Sequence, residues 1–212
     1  MTAATTADAR PRARRRTRAD QFTWTVIDPT PVGPLLAVAS PAGLCVLEFD
    51  GARRARALAS TLAERFPDLG GAPDSLVEAG SKGGPLAPVK AWLRRYFTGQ
   101  IVSGSELEVD LRGTEFERRV WTALLGIPYG ETRAYGQLAT ALGSKELARA
   151  VGLANSKNPV AVVVPCHRVI GANGSLTGFA GGMARKRWLL DHERGVACDA
   201  RGEARQLALL GE

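Results

Sequence analysis

Cys166 is followed directly by His167 in the run Val160-Ala-Val-Val-Val-Pro-Cys-His-Arg-Val-Ile170. A thiol beside an imidazole is the pair that nucleophilic chemistry at sulfur needs, because the thiolate attacks and a base must take the proton. The apolar residues Val160–Val164 predict a strand, and Pro165 would end it, so the thiol would be presented at a rigid strand end. A buried structural cysteine at a strand end has the same local appearance. The choice therefore rests on what else the chain carries.

Five other segments surround that pair at fixed intervals: Tyr135 in Ala134-Tyr-Gly-Gln-Leu-Ala139, Arg149 in Ala148-Arg-Ala-Val-Gly152, Asn158 before Pro159, Gly178-Phe-Ala-Gly-Gly182, and Trp188-Leu-Leu-Asp-His-Glu193. The elements that must position them can be read from spacing. Thr114-Glu-Phe-Glu117 is a capping box that starts a helix, with Phe116, Val120 and Leu124 on one face and Gly126 and Pro128 at its close. Tyr135, Leu138, Ala139 and Leu142 then repeat with helical spacing, and Gly143-Ser144 separates them from a second helix over Lys145 to about Asn155. Two short helices across a glycine turn predict a helix-turn-helix. In the second helix Leu147, Val151 and Ala154 form the inner face, while Ala148, Gly152 and Asn155 form an outer face of small side chains. Such a face would let backbone approach the narrow minor groove, with Arg149 as the long projecting side chain. An alanine-rich surface helix has the same pattern.

Taken together, these segments resemble the O6-alkylguanine-DNA alkyltransferase family, the methylated-DNA-protein-cysteine methyltransferases, over roughly residues 110 to 195. The resemblance implies an α/β N-terminal domain, a small antiparallel sheet with helices, followed by a mainly α C-terminal domain with a winged-helix-like helix-turn-helix. It implies irreversible transfer of an alkyl group from O6-alkylguanine in double-stranded DNA to Cys166, once per molecule. The implied roles are His167 as base acting through a water, Glu193 orienting it, Tyr135 as proton donor to the base, and Arg149 as the finger filling the stack. Ala148 and Gly152 would approach DNA. Asn158, Val169, Phe179, Ala180 and Gly181 would build the substrate pocket, with the carbonyls of Cys166 and Val169 receiving the exocyclic amine and a backbone amide near Ala180 at O6. Some relatives carry tyrosine or serine where this chain has Phe179 and Ala180, so contacts through those hydroxyls are absent. O4-alkylthymine is a second lesion the resemblance admits. A non-catalytic lesion-binding protein of the same fold is the alternative, and Cys166 argues against it. A cysteine hydrolase would leave the helix-turn-helix and Arg149 unexplained.

The expected organisation is an Arg-rich tail over 1–20, an N-terminal scaffold over 21–108, the active domain over 109–196 and a C-terminal tail over 197–212. Phe22–Ile27, Leu35–Ala39 and Leu44–Phe49 read as strands, the last two joined by a hairpin-like turn at Ser40-Pro-Ala-Gly43. Ala52–Phe66 and Pro88–Phe97 have helical spacing, with Gly/Pro-rich loops around 67–73 and 80–85. Cys45, Cys166 and Cys198 are an odd, widely spaced set that argues against a disulfide framework, and with two histidines they supply too few ligands for a zinc site. No metal or cofactor is expected. The chain carries a net charge of +7, but residues 1–20 hold six arginines against two aspartates, so much of the excess is in a segment expected to be disordered. That tail either adds salt-sensitive affinity for phosphates or is a solvated leader. With no apolar run of membrane length and no secretory signal, a cytoplasmic protein is expected, and the resemblance implies a monomer.

Overall fold

In the computed structural model, the residues described are 22–58, 60, 62, 76–79 and 84–210, with only backbone described at 52, 54, 56, 76, 77 and 201–210. The arginine-rich segment and most of the two expected loops lie outside them.

Alternating and apolar β-branched residues give the expected strands β1 (Phe22–Ile27), β2 (Leu35–Ser40) and β3 (Gly43–Phe49). They pair antiparallel, and a short fourth strand, β4 (Leu76–Glu78), adds parallel to β1, so the order is β3-β2-β1-β4. This fourth strand carries no sequence signal beyond three residues. Helix α1 (Gly51–Arg56) begins one residue before the helix expected over Ala52–Phe66, and the buried Leu58 and Leu62 that follow pack with Leu36, Val38 and Val46 beneath one face of the sheet. Helix α2 (Ala87–Phe97) buries Val89, Trp92, Leu93 and Tyr96.

β3 is an edge strand, and its unpaired backbone is where the second half of the chain attaches. Near one end Leu44 N donates to Glu108 O at 2.9 Å, and Asp110 N donates to Leu44 O at 2.9 Å. Near the other, Leu47 N donates to Pro159 O and Ala161 N to Leu47 O, both at 2.8 Å. The edge is therefore covered instead of left open for aggregation. Gly43 makes the first crossing possible: its φ is +136°, and a Cβ there would sit 2.5 Å from the carbonyl oxygen of Glu108.

The second half begins with helix α3 (Glu115–Leu125), whose capping box forms as expected: Glu117 N donates to Thr114 Oγ1 at 3.2 Å, and Thr114 N to Glu117 Oε2 at 2.9 Å. Its inner face is Val120, Trp121 and Leu124. Two-residue strands β5 (Arg133–Ala134) and β6 (Val169–Ile170) pair in parallel beside helix α4 (Tyr135–Ala141), and helix α5 (Ala148–Ser156) follows. α4, the turn at Gly143 and α5 form the expected helix-turn-helix. Lys145–Leu147, however, is a separate 3-10 turn. Helix α6 (Met183–Leu210) runs on through the expected C-terminal tail. Among the described residues no helix is long and apolar enough to cross a membrane.

Candidate active site

The predicted cysteine strand is not a strand. Val160 makes one bridge to Leu47, and the chain then turns, with Val162 at φ +70°, Val164 N bonded to Val160 O at 2.9 Å, and Cys166 opening a 3-10 turn through Arg168. A fully buried apolar run has no alternation that could separate a strand from a compact turn. Asn158 holds this turn shut: its Oδ1 accepts from Val160 N at 3.0 Å, and its Nδ2 donates to Val164 O at 2.8 Å. Asn158 is thus a side-chain clip across the turn that aims Cys166.

Cys166 is 5% exposed and lines a cavity of about 640 Å³ shared by both halves of the chain. Asn158, Phe179, Ala180 and Gly181 line it as expected, and Asn155, Phe49, Asp50 and Arg53 do so unexpectedly. Tyr135 and Val169 do not line it. Tyr135 is half-buried beside Asn155, Thr177 and Cys166, and burial raises its hydroxyl pKa. The carbonyl of Val169 accepts from Lys186 Nζ at 2.6 Å.

The phenyl rings of Phe49 and Phe179 meet edge to face at 5.6 Å. Arg185 pins the same wall, with Nη1 on Gly181 O at 3.0 Å, Nη2 on Asp50 Oδ1 at 2.7 Å and Nε on Val32 O at 2.8 Å. Gly181 fits because it has no side chain: a Cβ would lie 2.5 Å from Phe49 Cε2 and 2.8 Å from Phe179 Cε1. Gly181→Ala is expected to force those rings apart at a cost of about 1–3 kcal/mol, measurable by urea unfolding.

Behind the thiol lies a fully buried polar cluster. His167 Nε2 is 2.8 Å from Glu193 Oε1, and both side chains are wholly inaccessible. Glu193 also accepts from Arg168 Nε at 2.8 Å, Arg168 Nη2 at 2.9 Å, Tyr96 hydroxyl at 2.8 Å and Gly130 N at 3.2 Å. Arg168 in turn donates through Nη1 to Ile127 O at 2.5 Å. Burial pushes the Glu193 carboxyl up, but His167 and Arg168 outweigh it and hold it well below the usual range. An ionised, acceptor-only carboxylate requires His167 to donate from Nε2, which leaves Nδ1 as the basic nitrogen. That Nδ1 is buried and has no hydrogen-bond partner. Burial also lowers the His167 pKa, with Glu193 opposing it only in part, so the imidazole rests neutral.

Burial raises the Cys166 thiol, and the hydrogen bond from Asn158 and the charge of Lys186 recover only part of that. The resting group is a thiol, so its proton must leave as it reacts. Cys45 is fully buried in β3, and burial pushes its pKa up to about 12, which leaves it inert.

These shifts fix an acid limit. The folded pKa of His167 lies below its unfolded value of about 6.5, so the unfolded chain takes up the proton first and stability falls as the pH drops below that value. Glu193 adds stability above its ordinary 4.5, lost as the pH falls toward its lowered folded pKa. The midpoint of thermal unfolding is therefore expected to fall in both windows, and Glu193→Gln should remove the lower one.

Sequence reading missed Tyr96, Gly130, Arg168 and Lys186. Arg168, two residues after Cys166, was the one with a local signal. His192 is structural: it stacks on Trp188 at 4.9 Å, and its Nε2 lies 2.8 Å from Tyr96 O. On α5, Val151 and Ala154 face inward, and Ala148, Arg149 and Gly152 remain at least partly accessible, with Arg149 exposed. Asn155 departs from the expected outer face: it is 4% exposed, and its Nδ2 donates to Cys166 O at 3.4 Å. Asn155 lies four residues after Val151 and three after Gly152, where the inner and outer faces of the helix meet, and here it turns inward with Val151 and Ala154.

A helix-turn-helix protein with a buried thiol in a shared cavity is the class this geometry defines. Comparison with known proteins places it further. The DNA-binding domain of 6-O-methylguanine DNA methyltransferase matches residues 115–195. The methylated-DNA-protein-cysteine methyltransferase of Methanosarcina acetivorans is 40% identical over 164 residues, covering 77% of this chain and 94% of that protein. The protein of the same name from Mycobacterium tuberculosis H37Rv is 58% identical over 105 residues, 50% of this chain; the match spans 63% of that relative's length. The crystal structure of M. tuberculosis O6-methylguanine methyltransferase superposes with a TM-score of 0.64 at 40% identity, covering 82% of this chain and 94% of that one. The M. tuberculosis structure in complex with DNA gives 0.65, with coverage of 83% and 94%. The chain belongs to the methylated-DNA-protein-cysteine methyltransferase family.

Proposed function

We propose that this protein repairs O6-alkylated guanine in double-stranded DNA by moving the alkyl group onto Cys166, once per molecule. The observation that carries this reading is the Cys166 thiol in the wall of a cavity large enough for a base, backed by His167 and the buried Glu193. The target carbon lies inside a duplex, so the base is extruded, at a cost of a few kcal/mol. The helix-turn-helix docks through α5, whose Ala148 and Gly152 permit close approach, and Arg149 fills the gap in the stack. The solved DNA complex of a relative at 40% identity supports DNA as the partner.

Inside the cavity His167 takes the thiol proton at Nδ1, through a water, and Glu193 stabilises the resulting imidazolium. The sulfur forms a bond to the alkyl carbon as the C–O6 bond breaks, and the electron pair stays with the guanine. Tyr135 gives a proton to the base, so guanine leaves neutral. A thioether is not hydrolysed under ordinary conditions, and Cys45 is inert, so the protein is consumed. Residues 21–108 act as the scaffold that holds the cysteine turn on the edge of β3, and residues 109–196 carry the chemistry. The protein acts as a monomer, without a cofactor. A lesion-binding protein without chemistry would not need the thiol in the cavity wall.

The test is stoichiometry. Nucleoside analysis of a duplex carrying O6-methylguanine should show one lesion converted to guanine per protein molecule. Repeated turnover, or an unchanged lesion, would overturn the reading. Arg149→Ala is expected to slow transfer from duplex about tenfold or more while leaving transfer from a single strand nearly unchanged, since unstacking is needed only in the duplex. Parallel single-turnover assays on the two substrates check this.

A further inference from the structure

We propose that Arg185 is a positioning residue through which the N-terminal half of the chain holds one wall of the cavity in place, and that this hold limits the length of alkyl group transferred. The proposal rests on the transferase reading given above. The wall is the segment 178–182, of which Gly178, Phe179, Ala180 and Gly181 line the cavity together with Cys166. Its end residues, Gly178 and Gly182, have φ of +35° and +88°, and a Cβ on either would meet nothing within 4 Å. Between them the chain is a turn closed by Gly182 N donating to Phe179 O at 2.9 Å. A segment built this way swings about its two ends unless something outside it holds it.

Two adjacent residues of α6 tether the wall in opposite directions. Lys186, fully buried, donates from Nζ to Thr177 O at 2.8 Å and to Val169 O at 2.6 Å, and so ties the start of the wall to the chain leaving the cysteine turn. Arg185 ties the end of the wall to the N-terminal half. Its Nη1 donates to Gly181 O at 3.0 Å, its Nη2 to Asp50 Oδ1 at 2.7 Å and its Nε to Val32 O at 2.8 Å, and the guanidinium carbon lies 5.2 Å from the centre of the Phe49 ring. Every nitrogen of the planar fork is used, which a lysine could not reproduce. The tethers differ in strength, because the Lys186 ammonium is buried whereas the Arg185–Asp50 pair is partly open to solvent, where an ion pair is weak. The wall therefore yields at its Gly181 end, and residues of the N-terminal half set how far. The extruded base takes part of the cavity, and the space left beside the thiol is bounded by this wall. A methyl group needs no room beyond the reacting carbon; a longer chain does, and must displace the wall to find it.

The test compares single-turnover transfer at saturating protein from duplexes carrying O6-methylguanine or O6-butylguanine, in wild type, Arg185→Ala and Asp50→Asn. The intrinsic reactivity of each carbon cancels when a variant is compared with wild type on the same lesion. Arg185→Ala should raise the ratio of butyl to methyl rates by about tenfold, the scale on which apolar pockets sort substrates by length. Asp50→Asn should raise it in the same direction and by less, because the amide oxygen still accepts while the charge is gone. Asparagine also tolerates the left-handed backbone at this position, where φ is +60°, so this variant carries the test if the alanine variant does not fold. A residue that only supported the fold would lower both rates alike. An unchanged ratio in a variant that folds, or a ratio that falls, would overturn the assignment. Failure of wild type on O6-methylguanine itself would instead overturn the transferase reading.

Discussion

Glu193→Gln is expected to destabilise the folded protein by about 3–5 kcal/mol, the cost of breaking a buried ion pair from one side. The carboxylate receives two bonds from Arg168 and others from Tyr96, Gly130 and His167, and every partner is a donor. A glutamine has nearly the same shape, but one of its two ends is an amide NH2, so donors would face donors on that side. Arg168, 6% exposed, would be left as an uncompensated buried charge. The loss has a chemical side as well. Without the carboxylate, nothing obliges His167 to hold its proton at Nε2, and the fraction of molecules with Nδ1 free to accept falls. Urea unfolding and single-turnover transfer, measured on the same preparation, should both respond. An unchanged unfolding midpoint would mean that the Arg168 charge is not buried as described.

His167→Gln is expected to slow alkyl transfer by about 10²- to 10⁴-fold, the usual contribution of a placed general base. Affinity for the lesioned duplex should hold, because His167 is fully buried and lines no surface that DNA could touch. The pH dependence separates a base from a packing residue. In wild type the rate should fall on the acid side as His167 takes a proton, at a pH below its ordinary 6.5. In the variant the thiolate must form by loss of a proton to solvent, and burial raises the thiol pKa, so the rate should climb through the alkaline range. A variant with the wild-type pH profile, merely scaled down, would remove His167 from the base role.

The parts of this protein that were legible in its sequence are those set by local physics. The capping box at Thr114 and Glu117, the three strands from Phe22 to Phe49, the glycine turn between α4 and α5 and the Cys-His pair each depend on residues within a few positions of one another. What sequence could not give is built from distance. Tyr96 meets Glu193 across 97 residues, and Arg185 meets Asp50 across 135. Neither pair leaves a periodic trace. The cysteine turn was misread for a different reason: five consecutive buried apolar residues satisfy a strand and a tight turn equally, and only the bridge at Leu47 followed by the left-handed Val162 decides. Asn155 was grouped with Ala148 and Gly152, but it is also four residues after Val151, so it sits at the border of the two faces and only the packing decides. Tyr135 and Arg149 stood out through the family resemblance. The structure puts Tyr135 near the thiol and leaves Arg149 exposed, positions compatible with the proposed roles.

The claim on which everything else depends is that the alkyl group ends on Cys166. Intact-protein mass spectrometry, with peptide mapping, after mixing wild type or Cys166→Ala with a short duplex carrying one O6-methylguanine addresses it directly. The account predicts a single methyl adduct on the wild type, located at Cys166, with none on the variant even though the variant still binds the duplex. An adduct on Cys45 or Cys198, or binding by the wild type with no adduct at all, would contradict it.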